Sequence, residues 1–224
     1  MPNAAEVTEL RNQLIAAGKY MMSYGLAWGN AGNISARTGE DRCLISGSGT
    51  FLGELEASDL VECLFMEGTV DPEARIRPSK ELPMHRAVYE SRPDVNAVLH
   101  ASPFYSTLLA CTDIQLDSRM FVETMYYLER IERVPYHHPG SEALGEAVRS
   151  KAKSANVLIL ENHGVLVYDT SVKEARMALQ TLEMAVRMHV EALKADLQLR
   201  TLPDETARHF LQHAGYKPRR KWES

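Results

Sequence analysis

The period of the hydrophobic positions changes several times along the chain, and the changes divide it into elements. Over residues 6–24, apolar side chains recur at Leu10, Leu14, Ala17, Met21 and Tyr24. That spacing is one face of a helix, and Gly25 can close it in the left-handed conformation. Residues 42–46 and 95–100 are read as short strands, and 156–160, nearly continuous in apolar content, as a buried one, with residues 165–168 following it. Residues 60–66 and the segment after Glu67-Gly68 predict a hairpin. Pro72 and Pro78 bracket a polar connection. Near Ser79 the helical period returns and runs through Met84, Val88 and Tyr89 until Arg92-Pro93 stops it; Pro83 is tolerable in or near a first turn. Helices are predicted over 104–111 and 141–154, and Ser171-Val172-Lys173-Glu174 is a capping box opening a long helix to about residue 197. Residues 113–134 show no clear period. Helices before, between and after short strands predict an α/β chain with a sheet covered on both faces. A chain of 224 residues suits one such domain, 1–224, with 200–224 as a C-terminal extension.

Composition narrows the partners. The formal charge is −5, from 25 Lys and Arg against 30 Asp and Glu, so no basic surface for nucleic acid is expected. The one basic cluster, Lys217-Pro218-Arg219-Arg220-Lys221, is read as a solvated tail. Cys43, Cys63 and Cys111 are odd in number, widely spaced in sequence and without a Cys-x-x-Cys pair, which fits a reducing, cytoplasmic setting. No run approaches the ~18 apolar residues of a membrane span, and the first residues lack the order of a signal peptide.

Three segments carry the candidate chemistry. Val98-Leu99-His100-Ala101-Ser102-Pro103 ends an apolar strand in a histidine. Leu160-Glu161-Asn162-His163-Gly164 does the same, and Ser79-Lys80-Glu81-Leu82-Pro83-Met84-His85 places a carboxylate at the start of a helix. Two imidazoles and an acid can hold a divalent metal. Glu81 and His85 stand four apart on one helix face; His85 is read as ordering the helix or Glu81 rather than as a ligand. Two further segments are rich in small and amide residues: residues 28–35, with Asn30, Gly32 and Asn33, and Ser46-Gly47-Ser48-Gly49-Thr50. Both suit an anion-facing turn, and neither is a Walker loop, since no Gly-Lys-Ser/Thr follows.

Taken in order, these five segments resemble the class II aldolase/adducin family over roughly residues 10–193. The resemblance implies a three-layer α/β/α sandwich with a central mixed or largely antiparallel sheet, and a homotetramer with sites between subunits. It implies carbon–carbon cleavage, by retro-aldol reaction or decarboxylation through an enolate whose charge a divalent cation helps to hold. That cation would be zinc, with manganese or cobalt as alternatives, and the substrate a small phosphorylated sugar or sugar acid. Glu81 would be the acid/base and His100 and His163 metal ligands. Asn30, Asn33, Ser48, Gly49, Ser79 and Lys80 would bind phosphate or substrate.

The chain departs from the family pattern in three places. Where the family reads His-x-His, this chain has Ser102, a poor zinc ligand, so Ser102 itself, His137 or His138 would have to complete the shell, or Glu81 would. Lys80 stands where the sugar-phosphate aldolases commonly have serine, and Ser-Lys-Glu resembles the 3-oxo-tetronate 4-phosphate decarboxylase branch. Phe121 stands where the aldolases have a proton-donating tyrosine, leaving Tyr126 or Tyr127 as replacements. Ser102 and Phe121 also motivate the alternative of a silent, adducin-like interaction module. His189, His209 and His213 are read as structural.

Overall fold

The structure is a computed structural model and describes residues 3–66, 68–69, 74–220 and 222. Pro72, Glu67 and Lys221 lie outside the described residues. The strands are β1 (Asn33–Arg37), β2 (Arg42–Ser46), β3 (Leu60–Leu64), β4 (Gly68–Thr69), β5 (Ala97–Ala101), β6 (Ile131–Val134), β7 (Val157–Leu160) and β8 (Gly164–Asp169). They form one sheet of eight in the order β4-β3-β2-β1-β5-β8-β7-β6. Every pairing is antiparallel except β6 with β7.

The helices are α1 (Ala4–Ser23), α2 (Leu82–Ser91), α3 (Phe104–Ala110), α4 (Val122–Tyr127), α5 (Glu142–Ala152), α6 (Val172–Lys194) and α7 (Asp204–His213). The alternation of a strand explains how they divide. Ala97, Leu99 and Ala101 of β5 join the core under α1, α3, α4 and α6, whereas Val98 joins the one under α2 and α5. All five residues of β5 are buried. The result is the expected α/β/α sandwich, with His100 facing the α2 side at the middle of the sheet. Burying an imidazole there is tolerable only if its polar atoms find partners.

The first helix follows its pattern. Asn3 caps it reciprocally with Glu6, and Gly25, at φ 68°, lets the Leu26 N–H reach the Met21 carbonyl. α2 starts one residue later than the reading that put Glu81 in its first turn: Glu81 precedes Leu82 as the N-cap residue. The stretch without a readable period contains α4 and β6.

The tail corrects the sequence reading. Rather than being solvated, Arg220 is buried, pairs with Asp169 and donates to the Tyr126 carbonyl. Arg219 pairs with Glu129 and Lys217 with Glu174. Trp222 lies 4.7 Å from the Arg92 guanidinium and 4.4 Å from that of Arg130, and its indole N–H donates to Glu129. Acidic and aromatic partners from distant elements draw these cations in, and local charge count gives no sign of them. No described helix is long and apolar enough to cross a membrane.

Candidate metal centre and substrate cavity

Three elements meet at the site: the end of β5, the start of α2 and the β7–β8 turn. In that turn Leu160 pairs with Gly164, and Asn162 takes the left-handed conformation, φ 54°, which asparagine tolerates better than most residues. The turn delivers His163 to the side of His100, ring centroids 4.7 Å apart. Gly164 has to be glycine, because a Cβ there would lie 2.5 Å from the Ala101 carbonyl oxygen.

Glu81 bridges the two imidazoles. Its Oε2 is 3.4 Å from His100 Nε2 and its Oε1 is 3.3 Å from His163 Nε2. Asn33 Nδ2 donates to Oε2 at 2.7 Å, whereas Oε1 is buried without a hydrogen-bond partner. His100 Nδ1 lies 3.0 Å from the Val165 carbonyl. A carbonyl can only accept, so the proton is on Nδ1 and the Nε2 lone pair points at Glu81. Burial also pulls the His100 pKa down, against the upward pull of Glu81, which favours the neutral, ligating form. Burial alone would raise the Glu81 carboxyl, but the charge that His100 and His163 carry when protonated, with the donors on it, outweighs that and draws it down to about 2. It stands ionised at neutral pH.

These residues fit a divalent cation. One ligand atom each from Glu81, His100 and His163 lies within 4.8 Å of the others. Two imidazole nitrogens and a carboxylate oxygen are a donor set that zinc and neighbouring divalent metals accept. The unpaired Oε1 is the kind of buried acceptor such an ion would satisfy.

Ser102, the departure from His-x-His, donates its hydroxyl to the His163 carbonyl at 3.3 Å. It thereby ties the β7–β8 turn to β5. His137 and His138 do not join the cluster: His138 is exposed, with Tyr136 O–H 3.2 Å from its Nδ1. Tyr126 and Tyr127 are buried, their hydroxyls committed to the Pro218 carbonyl and to Glu174. Neither phenol reaches the cavity. Phe121 caps the start of α4 away from it.

The cavity, about 380 Å³, is lined by Glu81, His100, Ser102 and His163 together with Asn30, Asn33, Ser48, Gly49, Ser79 and Lys80. Ala31, Gly32, Gly47, Thr50 and Pro139 complete it. Ser79 Oγ accepts from the Glu81 N–H at 3.2 Å, which leaves its own proton to donate. Ser48 N–H is already bound to the Arg77 carbonyl, so its hydroxyl is the donor left to it. Gly49 takes φ 82°, open to glycine and strained for other residues. Among the described residues the Lys80 ammonium has no ion pair, and Lys80 is exposed at the rim. The sequence did not signal that Asn33 would be shared between Glu81 and His85, whose Nε2 lies 2.6 Å from Asn33 Oδ1.

Residues 12–190 match the model of the class II aldolase and adducin N-terminal domain. The 3-oxo-tetronate 4-phosphate decarboxylase of Haemophilus influenzae is 32% identical over 180 residues, covering 78% of this chain and 84% of that protein. The L-fuculose phosphate aldolase of Escherichia coli is 28% identical over 200 residues, covering 89% and 91%. The crystal structure of YgbL from Klebsiella pneumoniae superposes with a TM-score of 0.82 at 28% identity, over 90% of this chain and 97% of that one. With the sheet order, the Glu81–His100–His163 cluster and a family match over most of its length, the chain belongs to the class II aldolase and adducin family.

Proposed function

We propose that this protein is a metal-dependent carbon–carbon lyase that decarboxylates a small phosphorylated 3-oxo acid. The observation that carries the reading is the ionised Glu81, set 3.3–3.4 Å from two imidazole nitrogens in a cavity whose walls carry hydroxyls, two amides and an ammonium. Glu81, His100 and His163 would hold a divalent cation, zinc by the donor set, and that cation would supply Lewis acidity toward the developing negative charge.

The chain's own groups do the rest. Ser48, Gly49 and Ser79 bind the phosphate. Lys80 pairs with the substrate carboxylate, a contact that a hydroxyl at this position could not make with a full charge. When the bond to the carboxylate carbon breaks, CO₂ leaves and the electron pair stays on the adjoining carbon, which then needs one proton. Glu81 is the acid/base group for that transfer: it takes up a proton from solvent and delivers it to that carbon, returning to the carboxylate. The 3-oxo-tetronate 4-phosphate decarboxylase relatives support this choice over retro-aldol cleavage.

The test is turnover of 3-oxo-tetronate 4-phosphate, followed by CO₂ release, beside L-fuculose 1-phosphate in the same preparation. The wild type releases CO₂, and Glu81→Gln loses at least about 10²-fold in kcat, the usual scale for an acid/base group. Cleavage of the fuculose phosphate alone would move the reading to an aldolase. Full activity in Glu81→Gln at unchanged fold would remove the role of that residue.

A further inference from the structure

A row of buried polar side chains leads away from Glu81. Asn33 and Ser35 stand two apart on β1, on the face toward α2, and His85 and Tyr89 stand one and two turns beyond Glu81 on that helix. Asn33 bridges Glu81 and His85. Ser35 Oγ lies 2.7 Å from His85 Nδ1 and 2.7 Å from the Tyr89 hydroxyl. Ser35 and His85 are fully buried, and Tyr89 and Asn33 nearly so.

The polarity of this row follows from its first member. Asn33 donates its NH₂ to Glu81 Oε2 and thereby presents its oxygen to His85. His85 Nε2 must then donate. Burial holds its imidazole neutral, with a pKa near 3, so Nδ1 accepts from Ser35, and Ser35 in turn accepts from Tyr89. Each group has one assignment. We infer that His85 is a positioning residue: it fixes the orientation of the Asn33 amide, whose NH₂ in turn holds the Glu81 carboxylate in place through Oε2. Both ring nitrogens of His85 are occupied, so it has no lone pair for a metal. The kinetic part of this inference rests on the acid/base reading of Glu81.

Two measurements test it. In long-range ¹H–¹⁵N spectra of the wild type at pH 7, His85 shows the Nε2–H tautomer and His100 the opposite, Nδ1–H. This arm needs no turnover. Finding Nδ1–H on His85 would reverse the row and overturn the inference, even if no substrate were processed. For turnover of 3-oxo-tetronate 4-phosphate, His85→Gln, whose amide nitrogen can occupy the Nε2 position, retains kcat within about fivefold. His85→Leu loses about 10–100-fold in kcat, the scale for removing a group that orients a site residue, with KM changed less than about threefold. Equal losses in the two variants, or an unchanged kcat in the folded leucine variant, would overturn the inference. Absence of turnover in the wild type would instead count against the proposed reaction.

Discussion

Ser102 shows how one residue separates what sequence can and cannot say. The missing imidazole is plain from the order His100-Ala101-Ser102. That the hydroxyl donates to the His163 carbonyl is not, because that contact depends on the β7–β8 turn folding back onto β5. An imidazole at 102 would enter a cavity already lined by His100 and His163. Ser102→His is therefore expected to raise metal affinity by on the order of tenfold, since a third imidazole is a far better zinc ligand than a hydroxyl. Equilibrium dialysis against zinc with elemental mass spectrometry measures it. Unchanged or weaker binding would mean that the tie to the His163 carbonyl matters more for holding the site than a third ligand. His100, His163 and Glu81 were all readable as metal-capable residues from their segments. The double use of Asn33 was not, since an amide's partners are set by strand register: Asn33 pairs with His100 across β1 and β5.

Elements were legible where a single period governs them. α1, β2 and α6 follow from spacing and caps, and β2 spans the five residues expected of it. Residues 113–134 were opaque because α4 has only six residues and β6 four, too few for either period to declare itself. The C-terminal segment was misread for a different reason. Its cations are countable in sequence, but their partners, Asp169, Glu129 and Glu174, come from β8, the segment after α4 and α6. Once Arg220 and Asp169 are buried together, removing one leaves the other charged and unpaired. Arg220→Met is expected to destabilise the fold by about 3–5 kcal/mol. Adding Asp169→Asn should restore part of that loss. Denaturant midpoints at matched m-values measure both. A loss under about 1 kcal/mol, the scale of exposed pairs, would mean that the tail is held by Trp222 and its two arginines rather than by this pair.

At the scale of the molecule, burial on both faces of a sheet could be anticipated, whereas strand order could not. Which strands neighbour one another depends on pairings between residues far apart in sequence, such as β1 with β5 and β5 with β8, and hydrophobic period is silent about those. What the single chain leaves in water bears on assembly. Phe104 and Leu108 of α3 and Met184 and Met188 of α6 are 69%, 40%, 53% and 39% exposed, on two helices that pack together. Exposed apolar side chains grouped in this way commonly mark contact surfaces, and the family resemblance implies a fourfold assembly. Light scattering is expected to return about four times the 25.1 kDa chain mass. Phe104→Glu combined with Met184→Glu should lower that mass if this surface is among those covered, because charges at the centre of an apolar contact must be desolvated without partners. A tetramer indifferent to the double substitution would place the contacts elsewhere. A wild-type chain that stays monomeric at micromolar concentration would remove the shared-site arrangement, and every group needed for turnover would then have to come from the cavity of one chain.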